Sequence, residues 1–257
     1  MKKFATVRRY DDHSGLVETL VKGWFLQHDY IYDENDPELV IVIGGDGTFL
    51  RAVHHFIDKL DHIAFCGIHT GTLGFFSDYT DQELDEFFSA FLNRQKEVVE
   101  YQLLEIDLDG KQKFHALNEM RIENSIHTQV IEIKVNGQEF ETFRGTGVCV
   151  STQLGSSAYN RSLGGAVIQD GLPLIQLAEI AGIHNRAYQS LGGPIVMRED
   201  TKLCFSSADF SGANLCHDHL SQPLDGAHTI NIELSSTKVR IYRYKHVDYF
   251  KRLQNLF

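Results

Sequence analysis

The stretch IVIGGDGTFL at residues 41–50 joins a run of β-branched residues to a pair of glycines, which a single carboxylate follows. The run LVIVI at 39–43 predicts a buried strand, and FLRAVHHFIDKL at 49–60 places apolar residues at helical spacing. Where a strand turns through glycines into a helix, backbone N–H groups point at one spot and the helix dipole adds positive potential. The stretch therefore predicts an α/β fold with a phosphate-binding turn.

The glycines of this turn would let phosphate oxygens approach the backbone, because Gly44, Gly45 and Gly47 carry no Cβ. The alternative is a plain strand-to-helix turn, in which glycine supplies a positive φ and Asp46 caps the helix. The turn is not a Walker A motif, since G-x-x-x-x-G-K-[ST] does not occur in the sequence, and it lacks the alternating oxygen ligands of an EF-hand. A carboxylate beside phosphate is unfavourable unless it holds a metal ion or accepts a proton, and both roles fit phosphoryl transfer.

The composition of the 257-residue chain is that of an ordinary globular protein, with 42% hydrophobic and 23% charged residues. Its formal net charge of −11 disfavours nucleic acid and anionic membrane surfaces as partners. No apolar run approaches the roughly 18 residues of a membrane span, and the basic N-terminus lacks the apolar segment of a signal peptide. We therefore expect a cytoplasmic protein. The widely spaced cysteines, without a C-x-x-C pair, predict reduced thiols.

Hydrophobic periodicity divides the chain into two halves. Up to about residue 100, strands such as HIAFCGI at 62–68 alternate with helical patterns such as DQELDEFFSAFLNRQ at 81–95. From about residue 101 the period shifts towards two, and Asp109-Gly110 and Asn136-Gly137 mark the turns of β-hairpins. The first half is therefore predicted to be α/β and the second half all-β.

We predict a Rossmann-like α/β domain at 1–100 that carries the GGDGT loop, and an all-β, β-sandwich-like domain at 101–232. The tail at about 233–257 is expected to pack back on the first domain, with a short closing helix in HVDYFKRLQNLF. We interpret SLGGAVIQDGLPLIQLAEIAGI at 162–183 as helix plus loop, and NLCHDHL at 214–220 as one strand.

Further stretches place polar groups after apolar strands. HTGTLGF at 69–75 would bring a second glycine loop near the first, and LNEMRIEN at 117–124 sets an amide beside a carboxylate, which suits recognition of a base and a ribose. STQLGSSAYNRSLGG at 151–165 is rich in hydroxyl groups around one tyrosine. Taken alone, each stretch is more often an ordinary loop or a surface pair.

Taken together, these stretches resemble the bacterial NAD kinases. The motifs are GGDGT at 44–48, GIHTGTLGF at 67–75, NE at 118–119 and ST-x-x-GS-x-AY-x-x-S-x-GG at 151–165. GGDGT alone is less specific, because diacylglycerol and sphingolipid kinases share it. The resemblance covers nearly the whole chain. It implies transfer of the γ-phosphoryl group of ATP, or of polyphosphate, to the 2′-hydroxyl of the NAD adenosine ribose, assisted by Mg²⁺ or Mn²⁺.

The resemblance also implies roles for individual residues. Asp46 would be the general base. Phosphate and nucleotide binding would involve Gly44, Gly45, Gly47, Thr48, His69 and Arg144, the last through a bidentate contact. NAD binding would involve Asn118, Glu119, Thr146, Ser157, Ala158, Tyr159, Ser162 and Asp218. Asp218 would be contributed across a subunit contact, because family members are commonly homodimers or homotetramers. No metal ligand is assigned.

The sequence departs from the family pattern at two places. RGTG puts Thr146 where the family usually has aspartate, near the nicotinamide end of the dinucleotide, and Gln153-Leu154 replaces a rigid Pro-Thr turn. Both departures favour one alternative, a non-catalytic dinucleotide-binding or sensor protein, but the intact Asp46 argues for catalysis. A second alternative is a GGDGT-type lipid kinase, against which the NE pair and the serine-rich segment stand. His217 and His219 are interpreted as ordinary strand histidines.

Overall fold

The structure is a computed structural model that describes residues 2–71, 73–93, 96–184 and 190–256. The chain divides into two units, of which unit 1 is Met1–Tyr101 with Thr237–Phe257 and unit 2 is Gln102–Ser236. Each unit is described by itself below.

Unit 1 alternates strands and helices from its N-terminus. In chain order these are β1 (Lys3–Arg8), α1 (Asp12–Gln27), β2 (Ile31–Tyr32), β3 (Leu39–Ile43), α2 (Asp46–His55), a 3₁₀ turn (Ile57–Lys59), β4 (Ala64–His69), β5 (Ser77–Thr80), a second 3₁₀ turn (Asp81–Glu83) and α3 (Leu84–Asn93). The helix predicted at 81–95 is present up to Asn93, and residues 94–95 lie outside the described residues.

The sheet of unit 1 is parallel, with strand order β2-β1-β3-β4 and with β5 also paired to β4. β3 is buried along its whole length, as a central parallel strand with both faces covered must be. On one face, Ile41 packs with Val21 of α1 and Phe87 of α3. On the other face, Phe49 of α2 lies against Phe65 of β4. The α/β prediction for this half of the chain is confirmed.

Unit 2 consists mainly of strands. The remaining elements of the chain are β6 (Glu97–Leu108), β7 (Gln112–Ala116), β8 (Glu119–Glu123), β9 (Gln129–Val135), β10 (Gln138–Gly145), β11 (Gly147–Thr152), a 3₁₀ turn (Leu154–Ser157), α4 (Tyr159–Ser162), β12 (Leu174–Ile180), β13 (Ile195–Arg198), β14 (Leu203–Ser206), β15 (Asn214–His217), β16 (Leu220–Pro223), β17 (Thr229–Arg243) and α5 (Tyr249–Gln254).

Two antiparallel layers form unit 2. One has the strand order β13-β12-β11-β8-β15-β16, and the other contains β10-β9-β14 and the first half of β17, with β6 paired to β7. Alternate residues of both layers meet in one apolar core, in which Ile122 and Val148 of the first layer join Ile133 and Phe205 of the second. This is the β-sandwich-like arrangement predicted from the period-two pattern.

The predicted hairpin turns are confirmed. Asn136-Gly137 joins β9 to β10 as a two-residue turn, and Asp109-Gly110 lies in the three-residue connection between β6 and β7. All four residues have a positive φ, as tight hairpin turns require. The four cysteines are free in the structure, where Cys66 and Cys149 are buried and Cys204 and Cys216 are half-buried.

Two assignments from the sequence were wrong. Residues 162–183 contain the strand Leu174–Ile180, which was missed because burial of Gln176 and Ala178 on its second face removes the alternation of apolar and polar residues. Residues 214–220 are not one strand, because Asp218 has a φ of 52° and turns the chain between β15 and β16. His217 and His219 therefore do not share a strand face.

The end of the chain belongs to unit 1. The second half of β17 pairs in parallel with β4 through Arg240 and Ile241, and the predicted closing helix is α5. In that helix an apolar side chain is exposed and an arginine is buried, because Phe250 is 55% exposed while Arg252 is 6% exposed. Within the described ranges, no helix has the length and apolar character needed to cross a membrane.

Candidate functional site

The GGDGT turn lies at the carboxyl end of β3, where the chain enters α2. Gly44 has a φ of 150°, and a Cβ at this position would lie 2.5 Å from Thr48 Oγ1, so a larger residue does not fit. Gly45 is the N-cap of α2 and provides no side-chain cap. The N–H groups of Gly45, Asp46 and Gly47 donate to no residue that the structure describes. The turn thus offers unpaired N–H groups at a helix N-terminus, as an anion site requires.

The Asp46 carboxylate is held from the second glycine loop. Phe75 N–H donates to Asp46 Oδ2 at 3.1 Å, and Phe76 N–H donates to Oδ1 at 3.3 Å. Gly74 lies so close that a Cβ there would be 2.4 Å from Oδ1. The two glycine loops therefore meet, as expected from the sequence. Each carboxylate oxygen keeps a further lone pair for a proton or a metal ion.

His69 ends β4 beside the GGDGT turn. Its Nε2 atom would be 3.2 Å from a Cβ at Gly45, so the absence of a side chain there makes room for the ring. Burial lowers the pKa of His69, against the opposing effect of the nearby Asp46 carboxylate. A neutral imidazole at this place can donate one ring N–H to an anion without adding a full positive charge.

In unit 2, the Asn118-Glu119 pair lies in a turn that Asp218 organises. The Asp218 carboxylate accepts hydrogen bonds from Leu117 N–H at 2.7 Å, Asn118 N–H at 2.8 Å and Glu119 N–H at 3.4 Å. Thr152 N–H donates to Asn118 O at 2.9 Å from the other side. The Asn118 side-chain amide makes no hydrogen bond within the described part of the chain, which leaves it available to a ligand.

Glu119 is 7% exposed, and its Oε2 atom has no hydrogen-bond partner among the described residues. Burial, and then the negative charge of Asp218, raise the pKa of Glu119 to about 7. An unsatisfied buried carboxyl oxygen is unfavourable in the protein alone. Glu119 is therefore suited to a ligand hydroxyl, which could satisfy the oxygen in either protonation state.

Tyr159, at the start of α4, is held by two residues that the sequence reasoning missed. The Arg121 guanidinium carbon lies 4.2 Å from the centre of the Tyr159 ring, and the Tyr159 hydroxyl donates to Glu123 Oε1 at 3.1 Å. Arg121 Nη1 also donates to Glu123 Oε1 at 3.0 Å. The signal was present in the sequence, because Glu119, Arg121 and Glu123 alternate on one face of β8.

The serine-rich segment is an ordered turn despite the loss of Pro-Thr. Gln153 Nε2 donates to Asp170 Oδ1 at 2.8 Å, and Gly155 N–H donates to Thr152 Oγ1 at 3.1 Å. A Cβ on Gly155 would lie 2.0 Å from Asn118 O, so this turn packs directly against the Asn118-Glu119 turn.

The other predicted site residues of unit 2 lie near these turns or along the strands. Ser157 Oγ donates to Leu154 O at 3.2 Å, Ser162 Oγ donates to Tyr159 O at 2.7 Å, and Ala158 N–H donates to Gly155 O at 2.9 Å. Thr146 joins β10 to β11, and its carbonyl accepts Asn124 N–H at 2.9 Å. Arg144 lies on β10, opposite Val130 of β9.

The described ranges hold no group of three or more His, Cys, Asp or Glu side chains placed to bind a metal ion. Mg²⁺ does not need such a group, since it usually binds through one or two carboxylates, substrate phosphates and water. The Asp46 carboxylate, in the first turn of α2, is compatible with that mode.

Comparisons with known proteins agree with this geometry. Residues 11–96 match the model of the ATP-NAD kinase N-terminal domain, and residues 117–243 match that of the ATP-NAD kinase C-terminal domain. NAD kinase 1 of Bacillus subtilis (strain 168) is 36% identical over 260 residues, which cover 99% of this chain and 98% of that protein. The NAD kinase of Geobacillus stearothermophilus is 36% identical over 259 residues, which cover 99% of this chain and 96% of that protein.

Solved structures share the fold. An NAD kinase from Archaeoglobus fulgidus in complex with ATP is similar with a TM-score of 0.78 and 22% identity, over 99% of this chain and 96% of that chain. Yeast NADH kinase complexed with NADH is similar with a TM-score of 0.81 and 20% identity, over 100% of this chain and 86% of that chain. Because two family models together match most of the sequence and relatives at 36% identity span nearly all of it, the chain belongs to the NAD kinase family.

Proposed function

We propose that this chain is an NAD kinase that transfers the γ-phosphoryl group of ATP to the 2′-hydroxyl of the NAD adenosine ribose and releases NADP and ADP. The observation that carries the proposal is the position of Asp46. A carboxylate at the first turn of α2, beside unpaired backbone N–H groups, gives an anion site and a proton acceptor in one turn. A pure binding protein gains little from a negative charge beside phosphate.

In this proposal the turn binds phosphate through the N–H groups of Gly45, Asp46 and Gly47, with Gly44 and Thr48 shaping it and His69 donating one ring N–H. Asp46 accepts the proton of the ribose 2′-hydroxyl as that oxygen bonds to the γ-phosphorus and the bond to the β-phosphate oxygen breaks. The phosphates and the Asp46 carboxylate would hold Mg²⁺ or Mn²⁺, which would supply charge neutralisation.

The NAD acceptor is assigned to unit 2. The Asn118 amide has no hydrogen bond among the described residues, and Glu119 Oε2 is one of several buried polar atoms there without a partner. Both groups suit ribose hydroxyls. The Tyr159 ring, fixed by Arg121 and Glu123, offers a stacking surface for a base. We also assign Ser157, Ala158 and Ser162, which flank Tyr159, to NAD binding. Thr146 and Asp218 are assigned to NAD binding as well. We propose that Arg144 binds a phosphate group of the nucleotides.

The decisive experiment is an assay of the purified protein with NAD, Mg²⁺ and either ATP or polyphosphate, in which NADP is detected with an NADP-specific dehydrogenase. Formation of NADP with ATP supports the proposal, and the parallel reaction identifies the phosphoryl donor. NAD binding by calorimetry without any product would support the sensor alternative. Phosphorylation of diacylglycerol would support the lipid-kinase alternative.

The assembly and cellular location stay predictions. A homodimer or homotetramer follows from the family resemblance, and light scattering of the purified protein tests it. Cytoplasmic localisation follows from the sequence composition, and fractionation of the source cells tests it.

A further inference from the structure

Two arginines from the end of the chain converge on one buried aspartate in unit 1. Arg243 Nη1 lies 2.8 Å and Arg252 Nη2 lies 2.5 Å from Asp78 Oδ1, and the three side chains are 8%, 7% and 4% exposed in that order. Tyr244 N–H donates to Asp78 Oδ2 at 3.2 Å. We call Arg243, Arg252 and Asp78 the arginine clamp. It holds two guanidinium charges and one carboxylate charge, so it carries an excess of one positive charge.

The guanidinium groups also donate to the backbone of the second glycine loop. Arg243 Nη2 donates to Phe75 O at 2.9 Å, and Arg252 Nη1 donates to Phe75 O at 3.3 Å and to Gly74 O at 3.4 Å. Arg252 Nη1 also donates to Ser77 O, and Asn255 Nδ2 donates to Leu73 O at 3.0 Å. The end of β17, helix α5 and the residue after that helix therefore fix the carbonyl side of the loop.

The opposite side of the same peptide groups faces Asp46. The carbonyl of Gly74 and the N–H of Phe75 belong to one peptide, and the carbonyl of Phe75 and the N–H of Phe76 belong to the next. Each peptide thus accepts from a guanidinium group on one side and donates to the Asp46 carboxylate on the other. A cation at the carbonyl polarises the peptide and strengthens its N–H as a donor.

Packing ties the same loop to the helix that carries Asp46. The Phe76 ring stacks on Phe49 of α2, with ring centres 4.4 Å apart. Gly74 leaves no room for a side chain against the carboxylate. A shift of the loop would therefore move the groups that orient Asp46.

We infer that Arg252 is a positioning residue for phosphoryl transfer, which acts through the peptides at 74–76 to orient Asp46. The inference rests on the proposed function. Arg252 donates to backbone carbonyls and to Asp78, so its loss should change how Asp46 reacts rather than how nucleotides bind.

The test compares Arg252→Met with Lys251→Met in the full-length chain. Lys251 is the exposed neighbour on the same helix, so its variant controls for the loss of a positive charge and for the helix itself. We expect Arg252→Met to lower kcat by roughly ten- to a hundredfold while the KM values for ATP and NAD stay within about twofold, since misplaced reacting groups reduce turnover on this scale. Lys251→Met should behave like the unaltered protein.

Two further measurements separate positioning from a merely structural role. Hydrogen exchange followed by mass spectrometry should show faster exchange in the peptide covering 73–79 for Arg252→Met alone. Arg252→Met added to Asp46→Asn should cause little further loss of kcat, because the residue acts through Asp46. Normal turnover by Arg252→Met, full additivity in the double variant, or a loss explained by the unfolded fraction in circular dichroism would overturn the inference. Failure of the unaltered protein to make NADP would instead count against the proposed function.

Discussion

The carboxylate of Asp218 accepts the backbone N–H of Asn118 at 2.8 Å, although the two residues are a hundred positions apart in the chain. The contact fixes the turn that presents the Asn118 amide and the Glu119 carboxyl. Asp218 can do this because it turns the chain between β15 and β16 with a φ of 52°, a conformation that aspartate tolerates better than most residues. Its role across a subunit contact stays a prediction, but within its own chain it already supports the proposed NAD site.

We expect Asp218→Ala to raise the KM for NAD by roughly tenfold and to destabilise the protein by about 1–3 kcal/mol, because backbone N–H groups lose their acceptor and alanine is strained at positive φ. Asp218→Asn should be milder, since asparagine tolerates this φ and keeps one acceptor oxygen. Steady-state kinetics and urea unfolding measure both effects. If Asp218→Ala had a normal KM for NAD, the turn that Asp218 holds would not be part of the NAD site.

We expect Asp46→Asn to lower kcat by roughly a hundredfold or more, because asparagine cannot accept the hydroxyl proton. The fold should be kept, since the amide oxygen can still accept one of the two N–H groups from the second glycine loop. The NADP assay and circular dichroism check these two statements. A near-normal kcat of Asp46→Asn would show that Asp46 is not the general base.

The two glycine loops predict different effects for alanine. At Gly47 an added Cβ meets nothing within 4 Å, whereas at Gly74 it would lie 2.4 Å from Asp46 Oδ1. Gly47→Ala should therefore keep or raise stability, by up to about 1 kcal/mol. It should raise the KM for ATP if phosphate approaches the backbone there. Gly74→Ala should lower kcat. An unchanged KM for ATP in Gly47→Ala would favour the plain strand-to-helix turn.

The arginine clamp predicts a large effect on stability. Asp78→Asn would leave Arg243 and Arg252 buried without a carboxylate, so we expect a loss of about 3–5 kcal/mol in the free energy of unfolding. Arg252→Met should cost less, because Asp78 keeps Arg243 as its partner. Denaturant unfolding of the two variants under the same conditions gives the order. Equal losses would contradict the larger role in stability that we expect for the Asp78 carboxylate.

The raised pKa of Glu119 predicts how stability depends on pH. The ordinary glutamate pKa is 4.5 and the folded value is about 7, so the folded state favours the protonated acid. The contribution of Glu119 to stability is therefore fully present below about pH 4.5 and is lost as the pH rises to about 7. Relative to the unaltered protein, Glu119→Gln should gain up to about 3 kcal/mol between pH 5 and pH 8. If the free energies of unfolding of the two proteins changed with pH in the same way, the raised pKa of Glu119 would be contradicted.

Local signals in the sequence predicted much of the fold. The LVIVI run, the glycines that follow it and the Asn136-Gly137 turn each carry their information within a few residues, and the structure confirms the elements that they predicted. Leu174–Ile180 was missed because a strand buried on both faces has no alternation to detect. The turn at Asp218 was missed because neither glycine nor asparagine stands at position 218 or beside it, where a turn is usually marked by one of them.

The site was less predictable, because its supporting contacts are distant in sequence. Asp78 and Arg252 are 174 residues apart, and an arginine on a short amphipathic helix usually indicates a solvated face. Of the two arginines, Arg243 alone had a local signal of burial in the sequence. It alternates along β17 with Val239 and Ile241, so the three side chains lie on the same buried face of the strand. The motifs named the residues of the proposed site, but they could not show what holds Asp46 in place.

The path of β17 has a consequence for how the protein is made. Unit 1 needs residues 237–257, yet the whole of unit 2 lies before them in the chain. During synthesis the ribosome therefore releases the complete second unit before the first can close its sheet and gain α5. Until those last residues emerge, the loop that orients Asp46 lacks both of its arginines. We expect the nascent chain to become competent for catalysis only after Arg243 and Arg252 have left the ribosome.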